Sequence, residues 1–171
     1  MQSLYDLAAV RHMWEELNNI GVRSLRTPEE VDEELGNKKG TTLLVINSVC
    51  GCAAGHARPG IGLALQHNVI PDRLATVFAG VDRDATKRAR EYLPGFTPSS
   101  PSVALFEDGE LVYMLHRNQI ENLDAQGVAL DLVRAFDAFC EAPGPSVPKE
   151  KFDNNFAPSR CSSTIPAYQE N

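Results

Sequence analysis

The sequence predicts an α/β fold in which helices flank a central mixed sheet, with two extra helices at the N-terminus and an irregular tail at the C-terminus. Two observations support this prediction. Apolar, β-prone runs alternate with amphipathic helical patterns through the middle of the chain. An Asp-Gly pair then separates two further β-prone runs, as in an antiparallel hairpin. At 171 residues, the chain can form one domain with a sizeable core.

The two N-terminal helices have different signals. Apolar residues recur at helical spacing over residues 3–20, which predicts a first amphipathic helix. Thr27, Pro28 and Glu30 then stand in the order of an N-cap, a first helical residue and the partner that completes a capping box. They predict a short second helix that ends at Gly36.

The middle of the chain alternates strands with helices. Residues 42–47 form a continuous β-prone apolar run, which is typical of a central strand buried on both faces. A helical pattern follows over residues 56–67, and Pro59 is expected to kink that helix or to mark its start. A second buried strand is predicted at residues 74–81, followed by a helix over residues 82–92.

The next segment predicts a hairpin and a last helix. Residues 102–106 and 111–115 are β-prone, and Asp108-Gly109 between them suits a tight turn with positive φ. An amphipathic pattern then predicts a helix over residues 120–140.

The C-terminal part of the chain differs in composition from the rest. Five of the eleven prolines lie after Glu141, and no periodicity is sustained there. We therefore divide the chain into a domain over residues 1–140 and a proline-rich extension over residues 141–171. The extension is expected to be mostly irregular, although its aromatic residues could hold it against the domain or a partner.

Charge and composition exclude several classes of function. The net charge is −7 and the pI is about 5.1, with Lys and Arg scattered singly, which argues against nucleic acid or an anionic membrane as a partner. The first residues lack the basic segment of a signal peptide, and no apolar run approaches the roughly 20 residues of a membrane-spanning helix. We therefore expect a cytoplasmic protein.

Two of the four cysteines, Cys50 and Cys52, follow the predicted central strand directly. In a reducing compartment, such a close pair indicates redox chemistry or a metal site. The free N–H groups and the positive dipole end of the following helix favour a thiolate over a thiol. Cys50 comes first and is expected to be the more exposed, so we predict that it is the nucleophile.

Gly51 separates the two thiols and affects what they can do. In a regular helix, residues two positions apart point about 200° away from each other, so a disulfide requires Gly51 to let the backbone leave helical geometry. Such a small ring should be strained and easily opened, which favours the handling of mixed disulfides over the role of a stable reductant.

A second candidate feature is the pair Ser100-Pro101, which leads into the first strand of the hairpin. The proline is either an ordinary loop residue or a cis-proline that packs beside the thiols. In the second case, the preceding backbone would be offered to a substrate strand. Position along the chain leaves both interpretations open.

The order of elements, with thiols after the first strand and Ser-Pro before a hairpin, resembles the thioredoxin fold. A more specific likeness is carried by the run Asn47-Ser48-Val49-Cys50-Gly51-Cys52-Ala53-Ala54-Gly55, followed by Ala57-Arg58-Pro59. This run resembles the bacilliredoxin family of bacteria, which carries Cys-Gly-Cys in place of Cys-x-x-Cys. The resemblance covers about residues 5–140, and the extension departs from the usual length of that family.

The resemblance implies a thiol–disulfide oxidoreductase that removes bacillithiol from client proteins carrying it as a mixed disulfide. Cys50 would attack the bacillithiol sulfur and release the client thiol, and Cys52 or a second bacillithiol would then free Cys50. No bound cofactor is implied, only bacillithiol as a low-molecular-weight co-substrate. Members of the family are also associated with disulfide isomerase and reductase activity, which is the first alternative.

Other interpretations of these residues stay open. His56 and Arg58 could lower the pKa of the Cys50 thiol or meet an anionic thiol, or they could simply face solvent on the first helical turns. The cysteine pair could instead be structural, or it could bind zinc or an iron–sulfur cluster together with His56, Cys140 or Cys161.

Cys140 and Cys161 allow a further role. Either could be a third thiol that resolves Cys50 or joins two subunits, or both could be unreactive.

Overall fold

The computed structural model of the protein describes residues 1–156. The strands, in chain order, are β1 (Arg23–Ser24), β2 (Thr41–Asn47), β3 (Val69–Ile70), β4 (Arg73–Phe78), β5 (Ser102–Glu107), β6 (Glu110–Leu115) and β7 (Ala142–Pro143). The helices are α1 (Leu7–Asn18), α2 (Pro28–Leu35), α3 (Arg58–Ala64), α4 (Arg83–Glu91), α5 (Arg117–Glu121), α6 (Ala125–Phe139) and α7 (Lys149–Asn155). A π-helical turn, Ala53–Ala57, lies directly before α3.

Five strands form the central sheet in the order β1-β4-β2-β5-β6. The sheet is mixed because β2 pairs in parallel with β4 and antiparallel with β5. All seven residues of β2 are buried, as expected for a central strand with helices on both faces. The α/β class and the central mixed sheet predicted from the sequence are confirmed, and the arrangement is thioredoxin-like.

The side chains of β2 alternate between two apolar layers. Leu43 and Val45 face a core formed with α3 and α6, whereas Leu44 and Ile46 face a second core formed with α2 and α4. The two layers together hold β2 and its parallel neighbour β4 in register. The carboxyl ends of these two strands therefore lie side by side, at the edge of the sheet where the chain continues into Cys50.

Local signals that involve neighbouring residues are confirmed in the structure. Thr27 accepts a hydrogen bond from the Glu30 N–H, and the Glu30 carboxylate accepts one from the Thr27 N–H, which completes the capping box of α2. The hairpin between β5 and β6 turns at Asp108 and Gly109, whose φ angles are 49° and 84°.

Three predicted boundaries are wrong. The first helix begins at Leu7 rather than residue 3, because the Asp6 side chain caps it by accepting from the Ala8 N–H. The strand predicted to reach residue 81 ends at Phe78, and Gly80 turns the chain at a φ of 87°. The helix predicted over 120–140 is two helices, α5 and α6, because Asp124 caps α6 by accepting from the Gly127 N–H.

The helix after the cysteines begins earlier than its periodicity predicts and contains a π-helical turn. Helical backbone starts at Gly51 and continues through Ala64. The wide turn over Ala53–Ala57 lies just before Pro59, which has no N–H and whose ring would collide with a carbonyl in a regular turn. Pro59, expected to kink the helix or to mark its start, lies in the first turn of α3, directly after this wide turn.

The first part of the C-terminal extension is ordered against the domain. β7 pairs with β3, and the Ser146 N–H donates to the Leu65 carbonyl. Phe156, just after α7, packs against the larger apolar core. Up to residue 156, the segment predicted to be irregular therefore contains a short strand and a short helix, and the aromatic anchoring proposed for it is present. Cys161 lies outside the described residues.

Over residues 1–156, no helix combines the length and the apolar character that crossing a bilayer requires.

Candidate functional site

Cys50 lies where β2 ends and the long helix begins. Its carbonyl accepts hydrogen bonds from the N–H groups of Ala53 and Ala54, at 3.1 and 3.2 Å, so Cys50 is the N-cap residue. Cys52 is in the first helical turn, with φ −67° and ψ −29°. Both thiols therefore lie at the positive end of the helix dipole, as the sequence predicts.

The two thiols are in direct contact. The Cys50 and Cys52 sulfur atoms are 2.6 Å apart, and the Ser48 hydroxyl donates to the Cys50 sulfur at 3.1 Å. In this reduced state Gly51 is helical and Cys50 is the residue outside the helix, and the geometry that Gly51 adopts in a disulfide stays a prediction. Gly51 is exposed, and nothing lies within 4 Å of the position that a Cβ would occupy there. The backbone between the thiols is therefore open to an approaching substrate.

The surroundings give the two thiols different acidities. Burial opposes ionisation of Cys50, but hydrogen bonds from Cys52, Ser48 and the Ala53 N–H outweigh it, with help from the Arg117 charge, so the pKa of Cys50 is lowered. Burial, the hydrogen bond to Cys50 and the charge of Cys50 raise the pKa of Cys52 to about 11. Cys50 therefore ionises more readily than Cys52.

Arg58 is buried against the segment that leads from β2 to Cys50, and it does not face solvent. Its guanidinium donates to the Glu16 carboxylate at 2.7 Å, to the Asn47 side chain at 3.2 Å and to the Ser48 carbonyl at 3.0 Å. It is not among the main causes that lower the pKa of Cys50. Arg58 instead ties the loop that carries Ser48 and Cys50 to α1 and to the end of β2.

His56 is half-buried and contacts α5. Its Nδ1 lies 3.1 Å from the carbonyl of Ile120 on α5. Neither of the two residues predicted to modulate Cys50 is among the main causes of its lowered pKa, which are Cys52, Ser48, the Ala53 N–H and Arg117. Of these, Ser48 and Arg117 were not singled out from the sequence. Arg117 is 67 residues from Cys50 along the chain, so no local pattern connects them.

The Ser100-Pro101 bond is cis, which decides between the two interpretations of this proline. Pro101 is buried, and Ser100 lines the same cleft as Cys50. The Ser100 carbonyl accepts a hydrogen bond from Arg117 at 3.1 Å. The structure thus brings Ser100 and Arg117 to the cysteine site.

Beside Cys50 is a cleft of about 620 Å³. Its floor includes the apolar residues Tyr5, Val49 and Pro98, and α4 forms one of its walls. A volume of this size is typical of a small-molecule site. The cleft therefore places a nucleophilic sulfur at the edge of a space that can hold a compound of low molecular weight.

The other cysteine of the described chain lies far from this site. Cys140 is buried next to Thr41, at the start of β2, whereas Cys50 follows the end of that strand, so about 20 Å separates them at 3.3 Å per residue. Burial raises the pKa of Cys140 to about 11. Cys140 is not placed to resolve Cys50 or to join a metal site with it.

The metal interpretation gains no further ligands from the described part of the chain. In residues 1–156, no three side chains of His, Cys, Asp or Glu converge in a way that could hold a metal ion.

The chain is similar to known proteins over most of its length. A family model described as disulphide isomerase matches residues 5–140. A bacilliredoxin from Salinibacter ruber is 48% identical over 168 residues, which is 93% of this chain and 98% of the relative. A bacilliredoxin from Staphylococcus aureus is 49% identical over 138 residues, covering 81% of this chain and 94% of the relative.

Proposed function

The chain belongs to the bacilliredoxin family, and from this premise we propose that it removes bacillithiol from mixed disulfides on client proteins, with Cys50 as nucleophile and Cys52 as resolving thiol. The observation that carries the proposal is the pair itself: two thiols in contact, one with a lowered and one with a raised pKa, beside a cleft. Family membership supports a thiol–disulfide redox role. The assignment of the two steps to Cys50 and Cys52 rests on their surroundings.

In the first step, the Cys50 thiolate attacks the bacillithiol sulfur of the mixed disulfide. A bond forms between the Cys50 sulfur and that sulfur, the original disulfide bond breaks, and the client sulfur leaves as a thiolate that takes a proton from water. The groups that lower the pKa of Cys50 increase the fraction of Cys50 present as the thiolate.

In the second step, Cys52 attacks the Cys50 sulfur and releases bacillithiol. The charge and hydrogen bond of Cys50 are two of the causes that raise the pKa of Cys52. Both causes are removed once Cys50 carries bacillithiol, so Cys52 loses its proton more readily when it is needed. The resulting Cys50–Cys52 disulfide is reduced by two equivalents of a low-molecular-weight thiol. Because the reaction needs reducing thiols of this kind, we propose that it takes place in the cytoplasm.

Mass spectrometry of cysteine variants tests this assignment. Each protein is mixed with a bacillithiolated client, and its mass and the freed client thiol are measured. Cys52→Ser is expected to accumulate a Cys50 adduct of one bacillithiol, the native protein to shed it, and Cys50→Ser to form none. Cys140→Ser is the matched control and should behave as the native protein does. Client release by Cys50→Ser at the native rate would overturn the proposal.

A second candidate is a general isomerase or reductase of protein disulfides, which the description of the matched family favours. The exposed position of Gly51 between the thiols is compatible with an approaching protein strand. Refolding of a protein with scrambled disulfides, in the absence of bacillithiol, separates the two candidates. If the protein refolds such a substrate as fast as it removes bacillithiol from a client, the general isomerase or reductase activity is favoured.

A further inference from the structure

One wall of the cleft beside Cys50 carries three cations on a single helix face. Arg83, Lys87 and Arg90 occupy positions i, i+4 and i+7 of α4, and all three line the cleft. Arg117, at the start of α5, lies beside Cys50 as a fourth cation, although it is paired with Glu121 on the same helix. This concentration of positive charge occurs in a protein whose net charge is −7.

The three cations of α4 are not neutralised by the protein. Within the described chain, none of them forms an ion pair with a carboxylate, although Arg83 donates to the Gln2 carbonyl. Arg88, on another face of the same helix, contacts both Asp32 and Glu91. The other carboxylates at this helix also pair elsewhere, Asp82 with Arg26 and Asp84 with the N-terminal amine, so the cleft face keeps its charge.

Two buried polar groups of the cleft wall also lack a partner among residues 1–156. They are the Arg90 Nε and the hydroxyl of Thr86, a residue that is 3% exposed and lines the cleft. Buried polar atoms are nearly always hydrogen-bonded, and exceptions often mark a site that binds something else. Burial also lowers the pKa of Arg90, so an anion beside it would be stabilising for that side chain.

We propose that this cleft binds the low-molecular-weight half of the mixed disulfide through carboxylate groups, and that Arg83, Lys87, Arg90 and Arg117 make the protein selective for an anionic thiol. The inference deepens the proposed function and rests on Cys50 as the nucleophile. A small thiol is the occupant because the volume is about 620 Å³. Carboxylate is the favoured anion because arginine binds it through two parallel hydrogen bonds.

Binding of this kind decides which sulfur of the mixed disulfide Cys50 attacks. A small thiol held in the cleft presents its own sulfur to Cys50, and the client sulfur, which remains outside, becomes the leaving group. The reaction then transfers the small thiol to Cys50 and frees the client, which is the direction that the proposed function requires. Without the cations, Cys50 would meet the two sulfurs with less discrimination.

The test compares three small disulfides of similar length and different charge on the full-length Cys52→Ser protein. They are dithiodipropionate, a dianion, hydroxyethyl disulfide, which is neutral, and cystamine, a dication. In each reaction the Cys50 thiolate takes one half of the reagent and releases the other as a thiolate, and mass spectrometry gives the rate. The readout is the ratio of the dianion rate to the neutral rate, which removes effects on Cys50 itself.

We expect the dianion to react on the order of tenfold faster than the neutral disulfide, and cystamine to be the slowest, because two to three ion pairs of partly exposed groups supply about this factor. When Lys87→Gln and Arg90→Gln are introduced together into the Cys52→Ser protein, the ratio of the dianion rate to the neutral rate should fall towards one. Arg88→Gln, the matched control on another face of α4, should leave the ratio as it was. Equal rates for all three reagents, or an unchanged ratio in the double variant, would overturn the inference.

A second measurement keeps this inference separate from the proposed function. Adipate, a dicarboxylate without sulfur, should slow the alkylation of Cys50 by iodoacetamide in the native cleft and should do so less in the Lys87→Gln/Arg90→Gln protein. If Cys50 reacts with none of the disulfides but adipate protects it, the proposed function fails and the anion site stands. If Cys50 reacts with the neutral disulfide and adipate gives no protection, the anion site fails and the proposed function stands.

Discussion

The acidity of Cys50 depends on single hydrogen bonds to its sulfur. Cys52, Ser48 and the backbone of Ala53 each contribute one, and together they outweigh the cost of burying a thiolate. Ser48 differs from the others because it can be changed without altering either thiol. It lies two residues before Cys50, in the bend between β2 and the helix, and is itself buried.

Ser48→Ala is expected to raise the pKa of Cys50, because the hydroxyl stabilises the thiolate and not the thiol. Alkylation should then need a higher pH, and its rate at neutral pH should fall by about tenfold or more, because a hydrogen bond to a charged group contributes about 1.5–3 kcal/mol. The pH profile of Cys50 alkylation measures this in the Cys52→Ser background. Ser24→Ala, outside the cleft, is the control, and identical profiles for the two variants would contradict the role of Ser48.

Arg58 acts on the site through structure. A guanidinium that is 1% exposed and bonded to Glu16, Asn47 and Ser48 connects three segments of the chain. Lysine keeps the charge, but its single ammonium group cannot reproduce the planar set of donors. The arginine therefore provides geometry as well as charge.

Arg58→Lys is expected to lower the free energy of unfolding by about 2–3 kcal/mol, since it leaves buried acceptors without donors. Arg11→Lys is the matched control, because Arg11 is exposed and pairs only with Glu15 on α1, so its change should stay within about 0.5 kcal/mol. Urea denaturation of both variants makes the comparison. Equal stabilities would show that the buried contacts of Arg58 are dispensable.

At the level of elements, α2 supports the site indirectly. It packs against α4, whose opposite side carries the cations of the cleft, and Asp32 on α2 contacts Arg88 and Tyr92 on and just after α4. The start of α2 is fixed by the capping box between Thr27 and Glu30. Loss of that cap would fray the first turn of a helix that has only eight residues.

Thr27→Ala should lower the free energy of unfolding by about 1 kcal/mol, because the Glu30 N–H loses its acceptor, the Thr27 hydroxyl. Thr27→Ser keeps the hydroxyl and is expected to lie close to the native protein. Urea denaturation of the pair distinguishes the cap from the rest of the side chain. A serine variant as unstable as the alanine variant would show that the methyl group, rather than the cap, is what matters.

At the level of the whole molecule, the segment from residue 142 to 156 closes the domain on the side of α3. Gly144 donates its N–H to the Asn68 carbonyl, and Phe156 lies against Gly62 of α3. The backbone at Gly144 passes so close to the His67 carbonyl that a Cβ would collide with it. This close approach is what allows β7 to pair with β3.

Gly144→Ala is expected to separate β7 from β3 and to cost about 2–3 kcal/mol of unfolding free energy, because a backbone carbonyl cannot move aside as a side chain would. Gly55→Ala is the matched control. Its Cβ would enter open space on a helical turn, so its stability should be unchanged or slightly higher. Hydrogen exchange of residues 142–156 reports the local effect, and unchanged protection in Gly144→Ala would contradict it.

Much of the fold could be predicted because its signals join residues a few positions apart. The buried run of β2, the capping box at Thr27, the turn at Asp108-Gly109 and the thiols at the start of a helix each depend on local chemistry that the order of residues contains. Two helix starts were predicted wrongly because the hydrophobic periodicity continues across the residues that cap them. The side chains of Asp6 and Asp124 cap α1 and α6, so each helix begins directly after its cap.

The surroundings of Cys50 could not be predicted in this way, because they depend on how the sheet brings distant segments together. Residues Cys50 and Cys52 are candidates from spacing alone, yet the charge that acts on them comes from Arg117, which reaches them only through the pairing of β2, β5 and β6. The same pairing places the cations of α4 in the cleft, since β4 lies beside β2. Arg58, close to the thiols in sequence, is turned inward by packing that offers it three buried acceptors.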